Sequence, residues 1–109
     1  MNSVRILVIK TIKNKGSLHE PIIDSICKYS NALTKEATKY KGYQKSQSYW
    51  DLSNPNKIIT LSNWESNDDW LSWYMSNNRK KINNKFNLEI DTTVSHLLPK
   101  LIFNDIALL

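Results

Sequence analysis

Cysteine is nearly absent from the 109 residues. Cys27 stands alone, so no disulfide closes within the chain and no cysteine cluster holds a metal in it. Its expected role is that of a small buried hydrophobe on a helix. Glycine, at two residues, and proline, at three, are almost as scarce; there is no Gly-rich phosphate loop and no nucleophile elbow, which argues against nucleotide enzymes and serine hydrolases. Histidine is limited to His19 and His96, too far apart in sequence to form a metal-spaced pair. No metal and no cofactor are therefore expected. Arginine is limited to Arg5 and Arg79, so the net charge of +5 comes almost entirely from lysine. These lysines are spread along the chain, a distribution that solvates a surface rather than building a nucleic-acid patch. Long apolar runs are missing too. Val4 and Ile6 to Ile9 are broken by Arg5 and stopped by Lys10, too short a stretch for a signal-peptide core. Nothing reaches the roughly 18 to 20 apolar residues that span a bilayer. A cytoplasmic protein with no membrane and no nucleic-acid partner is expected.

What is present suits one domain. Apolar residues make up 40% of the chain and eleven are aromatic, enough for a single core, while the negative mean hydropathy marks a very polar surface. At this length a second copy usefully adds buried area. Val4 to Ile12 reads as a β-branched strand ending in the turn-like cluster 13–16. Ser17 and Glu20 fit a capping box, with Pro21 tolerated in the first turn. Leu18, Ile22, Ile26, Tyr29, Leu33, Ala37 and Tyr40 then recur at spacings of three and four, one face of a long amphipathic helix. Gly42 permits the left-handed cap that ends it.

Tyr43 to Trp50 reads as a strand with Tyr43, Lys45, Gln47 and Tyr49 on one face and Gln44, Ser46, Ser48 and Trp50 on the other. Residues 51–56, rich in Asp, Ser, Asn and Pro, make a hairpin connection, and Lys57 to Trp64 is the next strand. Ser66 with Asp69 signals a second N-cap for a helix over 67–77, resuming through Arg79 to Phe86. Residues 91–98 are the last strand. The order is β-α-β-β-α-β, the ferredoxin-like arrangement. The domain is expected to span 1–98, with 99–109 an apolar arm. Leu101, Ile102, Phe103, Ile106, Leu108 and Leu109 would be costly in water, so the arm is expected to lie on a partner subunit, with docking on a membrane surface as the competing use.

Trp70, Trp73, Tyr74 and Asn77 fall at helical spacings and share one face or its edge. They either wall a pocket for a flat aromatic ligand, the indole N–H orienting it, or fill the gap between helix and sheet. Arg79 either holds an anionic ligand through its fixed charge or pairs with Asp91 or Glu89 to fix a helix end. His96 is a candidate base, with an ordinary pKa of about 6.5. Asn63, Ser46 and Ser48 are further polar candidates for the ligand site.

The stretch from Gly42 to Ile82 carries a pattern: Gly42 opening a strand, Trp50 closing it, Pro55 in the turn, Trp64-Glu65-Ser66 ending the next strand, Trp70 and Trp73 on a helix, and Arg79 beyond. It resembles the antibiotic-biosynthesis-monooxygenase (ABM) family of dimeric α+β barrels. The resemblance implies a homodimer, two sheets meeting face to face, and in each subunit a pocket between sheet and helices, with Trp64 and Arg79 at signature positions. The family contains cofactor-free oxygenases, haem-degrading enzymes and members of no known chemistry. The first group needs a substrate that deprotonates to an electron-rich anion, held flat and shielded from water. In the haem-degrading branch, Trp73 falls on a haem-contacting tryptophan, but the position of the proximal histidine falls on Asn83, a poor haem-iron ligand. The resemblance therefore implies a cofactor-independent monooxygenase acting on an aromatic or quinol-like small molecule, with a non-enzymatic binding or sensing dimer as the alternative.

Overall fold

The computed structural model describes residues 3–13 and 20–97. The capping box at Ser17, His19, and the apolar arm 99–109 lie outside them. Seven elements follow in the order β1 (Val4–Ile12), α1 (Glu20–Ala37), β2 (Tyr43–Asp51), β3 (Asn54–Trp64), α2 (Asn67–Tyr74), α3 (Asn77–Phe86) and β4 (Ile90–Leu97). The strands form one antiparallel sheet in the order β2-β3-β1-β4, which with the helices gives the expected α+β ferredoxin-like fold.

Period-two alternation gives each strand two faces. In β1, Ile6, Val8, Lys10 and Ile12 point one way; in β3, Ile58, Thr60, Ser62 and Trp64 sit beside them in register. Helices cover this side. Ile26, Tyr29, Leu33 and Ala37 of α1 are buried; the main core gathers the last three with Ile6, Val8, Trp64, Trp70 and Trp73, and a smaller cluster joins Ile26 to Ile12 and Ile58. Each buried aliphatic side chain contributes roughly 1.5 to 3 kcal/mol. On the opposite side of the sheet Leu7, Ile9, Ile59 and Leu61 form a half-buried aliphatic stripe that no described element covers.

Four boundaries differ from the sequence reading, each for a reason the hydrogen bonds show. First, α1 stops at Ala37, before Tyr40: the Thr38 hydroxyl bonds the Lys35 carbonyl at 2.7 Å and Tyr40 N–H donates to Ala37 O at 3.0 Å, tightening the chain into a turn. That turn ends on Gly42, whose φ of 86° suits glycine. Second, a bulge between Tyr43 and Lys45 shifts the start of β2. Tyr43 consequently joins the helix-facing side, its hydroxyl 2.7 Å from Ser46 Oγ, instead of sharing the face of Lys45, Gln47 and Tyr49. Third, the hairpin is tighter than 51–56. Asp51 pairs with Asn54, and the Asp51 carboxylate accepts bonds from both Ser53 N–H and Ser53 Oγ–H, so the side chain closes the turn locally.

Fourth, the second helix breaks earlier than 77. Ser66 caps α2 by accepting from Asp69 N–H at 3.1 Å, with Asp68 and Asp69 in the first turn, where acidic groups suit the helix dipole. At Ser76 the backbone is extended and the hydroxyl accepts from Arg79 N–H at 3.1 Å. Serine competes for backbone bonds in this way and starts a new helix rather than continuing the old one. Asn77 therefore opens α3 and is exposed, no longer on the face of Trp70 and Trp73.

Candidate functional site

Between the helix-facing side of the sheet and the helices lies a slot. Its walls are Trp64 from β3, Trp70, Trp73 and Tyr74 from α2, and Leu33 and Ala37 from α1; its polar groups are Lys10, Tyr43, Ser46, Thr60, Ser62 and Arg79, with Ser30 and Thr34 of α1. The room inside it for water-sized bodies is about 60 Å³. At about 15 Å³ for each water position this is space for roughly four waters, the scale of one aromatic ring rather than a polycycle.

The tryptophans both fill the core and wall the slot. Trp64, Trp70 and Trp73 are 1%, 5% and 7% exposed and belong to the core, yet the same residues wall the slot. Trp64 Nε1–H donates to Ser62 Oγ at 3.1 Å, so its polar tip is satisfied inside the sheet. Tyr43 meets Trp64 edge-on at 5.4 Å, Tyr40 meets Trp73 at 5.2 Å, and Trp70 stacks on Tyr74 at 4.7 Å. Such offset and edge contacts add to area burial and fix ring orientation.

Arg79 owes its position to the helix break. The restart at Ser76 puts it in the first turn of α3, where Nη1–H donates to the Tyr74 carbonyl at 3.2 Å and the guanidinium lies 3.9 Å over the Tyr74 ring. The expected pairing with Asp91 or Glu89 is not made: Asp91 bonds Lys13 at 3.2 Å, and Glu89 forms no ion pair with Arg79. Among the described residues the ion pairs are Lys13–Asp91, Lys28–Asp24 and Lys39–Glu36, so Arg79 has no carboxylate partner among them.

Three candidates stand apart. Asn63 lies on the opposite face of the sheet, where its Oδ1 accepts from Arg5 Nε–H at 3.1 Å. Ser48 pairs with Thr60 Oγ1 at 2.8 Å and borders a shallow neighbouring cleft. His96 is exposed, its Nε2 2.8 Å from Asn67 Oδ1 and its ring edge-on to Trp70 at 5.2 Å, outside the residues that line the slot. Asn83, at the haem-ligand position implied by the resemblance, uses its Oδ1 to accept the Tyr29 hydroxyl.

Lys10 is the group that the sequence reading passed over. It lies between Val8 and Ile12 on the inward face of β1, its Nζ 5.0 Å from the Tyr29 ring centroid, and it lines the slot. Burial, with the charge of Arg79 second, lowers its ammonium from 10.5 to about 7. Burial likewise raises the Tyr29 phenol above its ordinary value, against the opposing pull of Arg79. The signal was in the alternation: Ile6, Val8, Lys10, Ile12 is an inward series with one lysine in an apolar row.

No family profile and no curated protein matches the chain. Solved structures do. SnoaB, a cofactor-independent oxygenase from Streptomyces nogalater, superposes with a TM-score of 0.73 at 8% identity, covering 91% of this chain and 94% of its own. An antibiotic biosynthesis monooxygenase gives 0.70 at 12% identity, covering 88% and 97%. A conserved protein from Methanosarcina mazei gives 0.68 at 18% identity, covering 87% and 90%. The chain thus has the fold of the ABM-type monooxygenases, over nearly the whole length of each. At these identities the likeness concerns the fold alone.

Proposed function

We propose that the protein is a small cofactor-independent monooxygenase that oxidises an aromatic or quinol-like molecule in the slot, working as a homodimer. The observation that carries this reading is the slot itself: four large aromatic walls, a guanidinium lying over one of them, and no carboxylate among its lining residues. Such a site holds a ring flat, keeps water out, and favours a ligand that becomes negative. The fold shared with a cofactor-independent oxygenase supports it.

The overall chemistry balances on the substrate and oxygen alone. Hydroquinone and O₂ give hydroxyquinone and water: one oxygen atom enters the ring, the other leaves as water, and the substrate supplies all the electrons. Arg79 would stabilise the oxyanion, and Trp73 and Tyr74 would position the ring. An oxygen electrode tests this with hydroquinone and no added flavin, metal or haem. Oxygen uptake with hydroxyquinone formed in equal amount is expected, falling in Arg79→Met; an uptake rate equal to that of buffer alone would reject it.

A non-enzymatic binding or sensing dimer is the second reading, favoured by one observation: His96, the candidate base, does not line the slot. Ring binding in the slot without oxygen consumption would select it.

A further inference from the structure

Lys10 and Arg79 line one narrow apolar slot, and neither has a carboxylate partner among the described residues. Two cations held together away from water repel each other, and the arrangement is unfavourable until a negative group joins them or one of them gives up its proton. Arg79 cannot do so, because a guanidinium stays charged; Lys10 can. The slot has room for about one ring. Resting on the reading of the slot as an aromatic site, we infer that it takes a single-ring phenol or enol and that Lys10 Nζ is the base that removes its hydroxyl proton, leaving the oxyanion between Lys10 and Arg79.

In this step the substrate O–H bond breaks and an N–H bond forms on Lys10. The electron pair stays on oxygen, and no oxidant is needed. The surroundings of Lys10 agree with the assignment. α1 presents Tyr29, α2 Tyr74, α3 Arg79 and β2 Tyr43, while β3 offers only the hydroxyls of Thr60 and Ser62 and β4 places Thr92 opposite in register. None of these is an anion that would hold Lys10 protonated. Tyr29 stays a phenol, donating to Asn83. With its ammonium lowered to about 7, Lys10 is about half free amine at pH 7 and mostly so by pH 8, which is what a general base requires.

The test uses para-nitrophenol, whose phenolate absorbs in the visible, beside para-nitroanisole, which has the same ring but no proton to lose. With the intact protein, bound para-nitrophenol should ionise at a pH lower by about one unit, corresponding to about tenfold tighter binding of the phenolate. Lys10→Met should shrink that shift to what Arg79 alone supplies, while para-nitroanisole, with no proton to lose, reports separately any change in how the slot holds a ring. Calorimetry on the unaltered protein gives a second measurement independent of any variant. At pH about 8, where the dye is already the phenolate and Lys10 mostly neutral, binding should take up about one proton per dye, read from buffers of different ionisation heat; para-nitroanisole should take up none. A shift undiminished in Lys10→Met, or binding of both probes with no shift and no proton uptake, overturns Lys10 as the base while leaving the aromatic slot standing. If neither probe binds, the slot reading falls and this inference with it.

Discussion

The two faces of the sheet obey the same alternation but have opposite chemistry. On the helix side, Ile6, Val8 and Ile12 share their rows with Lys10, Thr60, Ser62 and Trp64; on the other, Leu7, Ile9, Ile59 and Leu61 form an unbroken aliphatic centre, with Arg5, Lys45 and Lys57 toward the margins. A face that only had to bury itself would resemble the second. The first accepts hydroxyls, indoles and an amine because the helices stand off the sheet there and leave a slot, and the cost of those polar groups is met by local bonds such as Trp64 to Ser62. On the proposed function, the two faces divide the labour, assembly on one and ligand chemistry on the other.

The largest effect should come from the aliphatic face. Light scattering is expected to return about twice the chain mass of 12.7 kDa, and Ile59→Asp, placing a charge at the centre of the proposed interface, should yield the monomer. A monomeric parent protein would break the comparison, since the stripe would then face water without purpose. Next is Trp64→Ala on the helix face. Loss of a 1% exposed indole should cost about 3 to 5 kcal/mol in denaturant unfolding, and a cost under 1 kcal/mol would mean that the wall is not core.

Lys10 sharpens the contrast through pH. Its folded pKa, about 7, lies below the unfolded value of 10.5, so between those values the unfolded chain binds more protons and stability rises with pH. Burial of the charged amine therefore destabilises most below pH 7, and the penalty is relieved by pH 10.5. Lys10→Met should accordingly be more stable than the parent at pH 6, with the gain shrinking toward pH 10; a constant difference across that range would contradict the depressed pKa.

Gly42→Ala should have a smaller effect, about 1 to 2 kcal/mol from the left-handed backbone, with a further cost because the new Cβ would press into the Asp69 carboxyl and lie 2.6 Å from its Cβ. The smallest change is expected from Asn63→Ala, within about 0.5 kcal/mol by chemical denaturation and without effect on para-nitrophenol binding, because Asn63 faces away from the slot.

Periodicity and capping chemistry are local, so the sequence determined the element order, all of β1, the buried row Ile26, Tyr29, Leu33 and Ala37, and the Ser66 cap. It also brought Trp64, Trp70, Trp73, Tyr74, Ser46 and Arg79 forward as candidates, and the structure gathers these six around one slot. Three things needed tertiary structure. The bulge at Gln44 turned Tyr43 toward the helices, a choice set by pairing with β3 and invisible along β2 alone. The restart at Ser76 swung Arg79 back onto Tyr74, which helical spacing across an unbroken helix does not foresee. Lys10 changed from the residue that stops an apolar run to an amine in a slot once α1 and α3 closed over it, because the charge state of an ammonium depends on the water it loses and the cations it meets, and those come from segments distant in sequence.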